Sequence, residues 1–493
     1  MTVGRLWWRG CYVRSGLSEE VVVADIVVTG AGLIGLSTAM LLANDGHRVT
    51  VVERDPAPPP PPDKAWDNWE RRGVNQFRQP HYLVPRFRAI VEAELPLVAR
   101  ALEEAGARRF DLLAAIPESI SGGHRAGDDA LVALTARRPV AEAAVAAVAD
   151  ATAGVTVRRG SSVVALRTGP STVPGVPHAV GVVTQQGEEI PADLVVEATG
   201  RRSPLPSWID GAGGVPPHSI EDDSGFAYYG RHFRSADGEL PPLLGGLLVH
   251  YGSVGALTLP GDNGTWSVVL VVRAKDAPMR GLKETARWTA AVRALPITAH
   301  WVDGEPLGDE VATMTSIEDR IRRFVVEGTP VVTGVAPVGD SWACTNPSLG
   351  RGASIGLIHA LALREVLRTA SLDEPLDFAL AWDAATQSSV VPWYEATNQF
   401  DRHRLAEVAA EIQGEPYEPD DPGWEFSQAI NAAVTRDPDV LRAFLKIAGV
   451  INTPQEVLAD GVLADKVLSL GGGWRDEPRL GPTRTELLET IAG

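Results

Sequence analysis

The feature that most constrains the fold is the stretch Thr29–Gly35, "TGAGLIG", with its surroundings. Before it runs "VVVADIVVTG", a β-branched strand of buried character. After it comes "LSTAMLLANDG", which has the small and apolar spacing of a helix, with Gly46 as its stop. "HRVTVVERD" is then a second strand. A G-x-G-x-x-G loop between a strand and a helix predicts a dinucleotide site. Gly30 permits the tight turn, Gly32 lets backbone approach a pyrophosphate, and Gly35 lets helix and strand pack. Leu33 and Ile34 complete the loop at the helix N-terminus, whose free N–H groups suit phosphate. Glu53 follows Gly35 by 18 residues, close to the spacing of a ribose-binding acid, and Arg54 is next to it. A carboxylate there accepts from ribose hydroxyls and repels a 2′-phosphate, which leaves NAD or FAD as the dinucleotide.

Bulk properties narrow the class further. A chain of 493 residues with net charge −18 has room for two or three domains and is a poor match for nucleic acid or an anionic membrane. Cys11 and Cys344 form neither a disulfide framework nor a metal-ligand pattern, so no metal site and a cytoplasmic location are expected. Residues 1–20 lack a signal-peptide core and read as a flexible extension. The longest stretch free of Asp, Glu, Lys and Arg, Leu240–Gly261, is broken by prolines, His250 and glycines, so no transmembrane segment is expected.

Along the chain, "DPAPPPPPDK" (Asp55–Lys64) predicts an extended surface loop without helix. Pro85–Ala107 and Arg138–Ala151 read as helices. "GVTVRRGSSVVALRT" and "HAVGVVTQQG" read as a strand pair, followed by the strand in "ADLVVEATG". Alternating strands dominate 206–325, with a helix near 282–294. An apolar strand returns at 329–336, a helix starts near Ser354, and the chain beyond 373 reads mostly helical.

Three further stretches come in a fixed order: "RRGVNQFRQPHYLVPR" (Arg71–Arg86), "DLVVEATGRRSPLPSWI" (Asp193–Ile209) and "GVAPVGDSWACTNPSLGRGASIG" (Gly334–Gly356). With the loop and Glu53 they resemble FAD-dependent monooxygenases of the p-hydroxybenzoate hydroxylase and squalene-epoxidase-like type, from about Val21 to Arg368. The resemblance implies that Gly339–Asp340 meets the FAD ribityl chain. It also implies that Pro347, Gly350 and Gly352 shape a turn at the isoalloxazine, before a helix whose positive end favours reduced flavin. Gln76, Arg78 and His81 match the family's early segment, whereas Asn75 and Gln79 depart from it. Arg138 stands at the family's FAD-contacting arginine. Thr199–Gly200 replaces the usual Asp-Gly turn, which bears on reduction by NADPH.

The implied fold is α/β. A discontinuous Rossmann-like FAD-binding domain (21–205 and 326–372) surrounds an inserted mixed β-sheet substrate domain (206–325), and a helical C-terminal region (373–493) follows. The implied activity is transfer of one oxygen atom from O₂, through a flavin C4a-hydroperoxide, to a small hydrophobic or aromatic molecule. NAD(P)H is the electron source, directly or through a flavin reductase partner. An FAD-dependent reductase or dehydrogenase of an isoprenoid or lipid, and a catalytically silent FAD-binding protein, share these motifs. A halogenase is disfavoured because "RWTAAVRALPI" has a single Trp. Tyr228, Arg231 and His232 of "FAYYGRHF" are candidate site residues, with Tyr228 and Arg231 on opposite strand faces; none of them is assigned catalysis.

Overall fold

The computed structural model describes residues 23–492 apart from Arg72 and Asn75. The expected extension 1–20, Cys11 and Asn75 lie outside the described residues.

A five-stranded parallel sheet holds the nucleotide loop. Its order is Val335–Pro337, Leu194–Glu197, Asp25–Thr29, Arg48–Glu53, Val155–Arg159. The central strands are apolar almost throughout because both faces are covered, as parallel sheets require. The helix Leu33–Asn44 packs with Arg138–Ala151 and Gly352–Thr369 over this sheet, around Met40, Val145 and Leu357. Strands from residues 25 and 335 thus share one sheet, and all run parallel, so their C-terminal ends open on the same side.

The middle of the chain forms a larger sheet ordered Leu248–Tyr251, Val254–Pro260, Thr265–Arg273, Phe226–Arg234, Glu305–Pro306. Ala312–Met314 also pairs with Phe226–Arg234. Every pair in this sheet is antiparallel, where a mixed sheet was expected. One face packs on Trp288, Trp301, Leu487 and Ile491. A buried pair ties Arg137, just before helix Arg138–Ala151, to Asp262 in the turn between Val254–Pro260 and Thr265–Arg273: Asp262 accepts from the Arg137 backbone N–H at 2.7 Å and from its Nη2 at 2.6 Å.

Several expectations are corrected. Pro62 opens a short helix, Pro62–Asn68, because a proline at the first helical position lacks only an N–H that has no partner there anyway. Pro96 splits the segment after Pro85 into two helices, Pro85–Glu94 and Pro96–Glu104. The stretch 154–168 holds two strands in different sheets: Val155–Arg159 joins the parallel sheet, and Val163–Gly169 pairs with His178–Thr184. The stretch 329–336 divides into Thr329–Pro330 and Val335–Pro337 around Gly334, whose φ is +74°. The helix expected near Ser354 is present as Gly352–Thr369. Beyond 373, seven α-helices occur among the described residues.

Candidate functional site

A cavity of about 1090 Å³ runs from the nucleotide loop to the C-terminal helices. Its polar end is built by the loop. Gly30 has φ +98°, and a Cβ there would lie 2.9 Å from Ala198 O. A Cβ on Gly35 would lie 2.1 Å from Gly30 O, so that position is closed by packing. Gly32 differs: a Cβ added there meets nothing within 4 Å and projects into open space. Helix Leu33–Asn44 has no side-chain cap at Gly32, and helix Gly352–Thr369 has none at Arg351. Two bare helix N-termini therefore border one cavity, an arrangement that favours anionic or electron-rich groups.

The carboxylate of Glu53 accepts from Ala31 N–H at 2.7 Å and Arg71 Nη2 at 2.9 Å, both on Oε2. Its Oε1 takes the Asp55 N–H at 3.0 Å. Arg71 also donates to Asp55 and to Glu142, and Arg138 donates to Glu142 at 2.6 Å. Burial alone would raise the Glu142 pKa, but Arg138 and Arg71 outweigh it and hold the carboxyl below its ordinary value. Burial, and then the Arg138 charge, push His81 down to about 4, so its ring is neutral. Its Nδ1 donates to Gln79 O at 2.9 Å, which leaves Nε2 to accept from Arg138 at 3.4 Å.

Farther along, Asp340 lies 3.4 Å from Arg201 Nε. The hydroxyl and amide of Thr199 both go to buried Glu197, whose other oxygen accepts from Ser203 at 2.7 Å. The position where the family has an acid is thus tied to an acid two residues earlier, turned inward.

Of the residues singled out from sequence, Gly30, Gly32, Leu33, Ile34, Glu53 and Arg54 line the cavity. So do Gln76, Arg138, Thr199, Gly200, Gly339 and Asp340, with Pro347, Gly350 and Gly352. Gly35 lies behind the wall. Arg78 is elsewhere: it donates to the carbonyls of Trp66 and Trp69 at the C-terminal end of helix Pro62–Asn68, where a cation suits the helix dipole. Tyr228 lines the cavity, whereas Arg231 stacks over Phe233 and His232 packs on Trp66.

Sequence reasoning missed Arg71, Glu142, Glu197 and Arg201. Arg71, Glu197 and Arg201 lay within the stretches that carry the resemblance, and Glu142 had its i,i+4 spacing from Arg138 as a local signal. It also missed the apolar lining, which includes Trp424, Phe426, Ile430, Phe444 and Leu458 as well as Leu248, Leu257 and Met314. The C-terminal helices are pinned there by two arginines. Arg442 donates to both oxygens of Asp128 and to Ser121 O and Gly123 O. Arg86 donates to Val450 O and Ile451 O.

A family model described as DAO, FAD dependent oxidoreductase, matches residues 25–60. Protein Rv3254 of Mycobacterium tuberculosis is 28% identical over 393 residues, 74% of this chain and 77% of that protein. A flavoprotein/dehydrogenase from Cytophaga hutchinsonii superposes with a TM-score of 0.59 at 15% identity, over 91% of this chain and 99% of that one. PqsL from Pseudomonas aeruginosa, described as a probable FAD-dependent monooxygenase, gives 0.51 at 18% identity, over 78% and 99%. The chain has the fold of the FAD-dependent monooxygenases. The residues present also suit FAD. Two bare helix N-termini, the open space over Gly32, Gly200 and Gly352, and the acids Glu53 and Asp340 match the donors and acceptors that a diphosphate, a ribose and a ribityl chain need.

Proposed function

We propose that the protein binds FAD non-covalently and acts as a monooxygenase on a hydrophobic or aromatic small molecule. The observation that carries this reading is a single cavity joining the nucleotide loop to an apolar chamber. The loop Gly30–Gly35 and the start of helix Leu33–Asn44 receive the diphosphate, Glu53 receives the adenosine ribose, and Asp340 the ribityl hydroxyls. Arg138 is held at the cavity wall by Glu142 and assists from there. The turn Pro347–Gly352 and the helix after it border the isoalloxazine. When bound, FAD supplies the oxygen-transfer chemistry; the protein orients the substrate and keeps water out. Exclusion of water falls to the C-terminal helices, which Arg442 and Arg86 hold over the chamber.

In this reading the segments 21–205 and 326–372 form the FAD domain around 206–325, and 373–493 supplies the cover. NAD(P)H delivers the electrons, directly or through a flavin reductase, and the enzyme works in the cytoplasm. Purified protein should be yellow and release FAD on denaturation. With a turned-over substrate it should consume NAD(P)H and O₂ and yield a product heavier by one oxygen. A colourless protein that binds no added FAD sinks the cofactor assignment; a flavoprotein that reduces substrate without O₂ sinks the monooxygenase.

A further inference from the structure

Strand Val335–Pro337 is the edge of the parallel sheet. The chain leaves it at Val338, whose N–H makes the last bond to the neighbouring strand, at Glu197 O, 2.9 Å away. The next N–H belongs to Gly339, which is buried and turns out of the ladder with φ +66°. A buried backbone donor needs a partner, and the sheet no longer supplies one. The partner is Nδ1 of His359 at 3.1 Å, two turns into helix Gly352–Thr369.

The direction of this bond fixes the imidazole. A backbone N–H can only donate, so Nδ1 carries the lone pair and Nε2 the proton. That proton goes to Thr386 Oγ1 at 3.0 Å, on helix Pro375–Ser389, and the Thr386 hydroxyl donates in turn to Trp382 O at 2.8 Å. The Trp382 indole stacks on the ring at 4.5 Å and 11°, and Trp342 meets it edge-on at 6.0 Å, so one orientation is held. Burial pushes the His359 pKa down to about 3, which keeps the lone pair free of a proton at neutral pH.

The residue after Gly339 is Asp340, which lines the cavity. The Gly339 carbonyl is fixed as well, by the Trp342 N–H at 3.0 Å. His359 and Thr386 lie behind the cavity wall. Helix Gly352–Thr369 therefore serves the cavity twice, by its uncapped N-terminus and, through His359, by the loop that carries Asp340.

We propose that His359 is a positioning residue for the cofactor: by accepting from Gly339 it holds Asp340 where the ribityl hydroxyls arrive. This rests on the reading that Asp340 receives the ribityl chain of FAD.

The test uses two amides that divide the imidazole between them. In His359→Asn the side-chain oxygen falls where Nδ1 stood and still accepts from Gly339. In His359→Gln the amide reaches the place of Nε2, meets Thr386, and leaves Gly339 without an acceptor. Thr386→Val removes the far partner and keeps Nδ1. Each full-length protein is read for FAD affinity by titrating the apoprotein, for thermal unfolding without FAD, and for hydrogen exchange at Gly339 by mass spectrometry. His359→Gln should bind FAD about tenfold more weakly, the order of one lost hydrogen bond, and exchange faster at Gly339. His359→Asn and Thr386→Val should keep most of the affinity, although Thr386→Val unfolds earlier than wild type. Should His359→Gln not fold, His359→Leu, which also lacks the acceptor, carries the same expectation. Equal losses in the Asn and Gln variants, or an affinity that merely follows unfolding temperature across the variants, would overturn the proposal. A wild type that takes up no FAD overturns the cofactor reading and the positioning role together. A wild type that binds FAD, with His359→Gln unimpaired, overturns the positioning role alone.

Discussion

Two alanines three residues apart separate packing from cofactor binding. At Gly35 an added Cβ falls 2.1 Å from Gly30 O, a backbone atom that cannot swing aside. Helix Leu33–Asn44 must then move off the loop, a distortion in the overpacking range of about 1–3 kcal/mol, and rigid backbone puts it at the upper end. Alanine's better helix propensity returns about 1 kcal/mol, so the apo protein should lose about 2 kcal/mol. At Gly32 the added Cβ meets nothing, and φ −80° with ψ 176° is open to any residue. There the apo protein should lose only about 0.5–1 kcal/mol, the difference between glycine and alanine at an N-cap. FAD reverses the order of sensitivity. A ligand at 100 times its Kd stabilises the wild type by about 2.7 kcal/mol, and a hundredfold loss of affinity cuts this to about 0.4 kcal/mol. Gly32→Ala should therefore unfold much like wild type without FAD and gain almost nothing when FAD is added. Thermal unfolding of both variants, with and without FAD, is the assay. A Gly32→Ala protein with the full FAD-induced shift would show that the diphosphate does not lie on this loop.

Legibility in the sequence follows the range of the interaction. The loop, the helix after it and the strand ending at Glu53 could be read because each is written in adjacent residues as a β-branched run, glycines at fixed offsets and a run of small and apolar residues. The fate of 154–168 could not be read, since two β runs look alike whether they pair in parallel with Arg48–Glu53 or antiparallel with His178–Thr184. Arg78 shows the limit of motif matching. It sits between two residues of the resembling segment that reach the site, Gln76 and His81, and its own guanidinium caps a neighbouring helix. Glu197 was invisible for a different reason: a glutamate at a strand end gives no sign that its carboxylate turns inward onto Thr199 and Ser203. The C-terminal helices reveal an apolar face in their spacing but not the chamber that the face closes.

Three further outcomes follow from particular contacts. Asp262→Ala would leave the Arg137 guanidinium buried without its carboxylate and should cost about 3–5 kcal/mol in denaturant unfolding. An Arg137→Met, Asp262→Leu double variant should recover most of that; equal losses in both would refute the pairing argument. Burial raises the Asp319 pKa from 3.8 to about 6, so between those values the folded protein holds a proton that the unfolded chain has released, and stability falls as pH rises through that window. Asp319→Asn should gain on wild type from pH 4 to pH 7 in thermal unfolding, and a constant difference would refute the shift. The last outcome concerns the electrons. A hydride donor must come within about 3–3.5 Å of its acceptor, and some surface must hold it there. Thr199, in place of the acid that the resemblance leads one to expect, has committed both its hydroxyl and its amide to Glu197, so it has neither charge nor a free donor to offer a nicotinamide nucleotide. In the proposed reading the large cavity holds FAD at its polar end and substrate at its apolar end. Substrate or a reductase must then supply what the loop lacks. In anaerobic stopped-flow mixing, NADPH alone should bleach the flavin slowly, and a bound substrate or an added flavin reductase should speed bleaching by at least about tenfold, the order that positioning a donor contributes. Rapid bleaching by NADPH with neither present would show that a nicotinamide site exists elsewhere on the surface, and that the Thr199–Glu197 contact has no bearing on reduction.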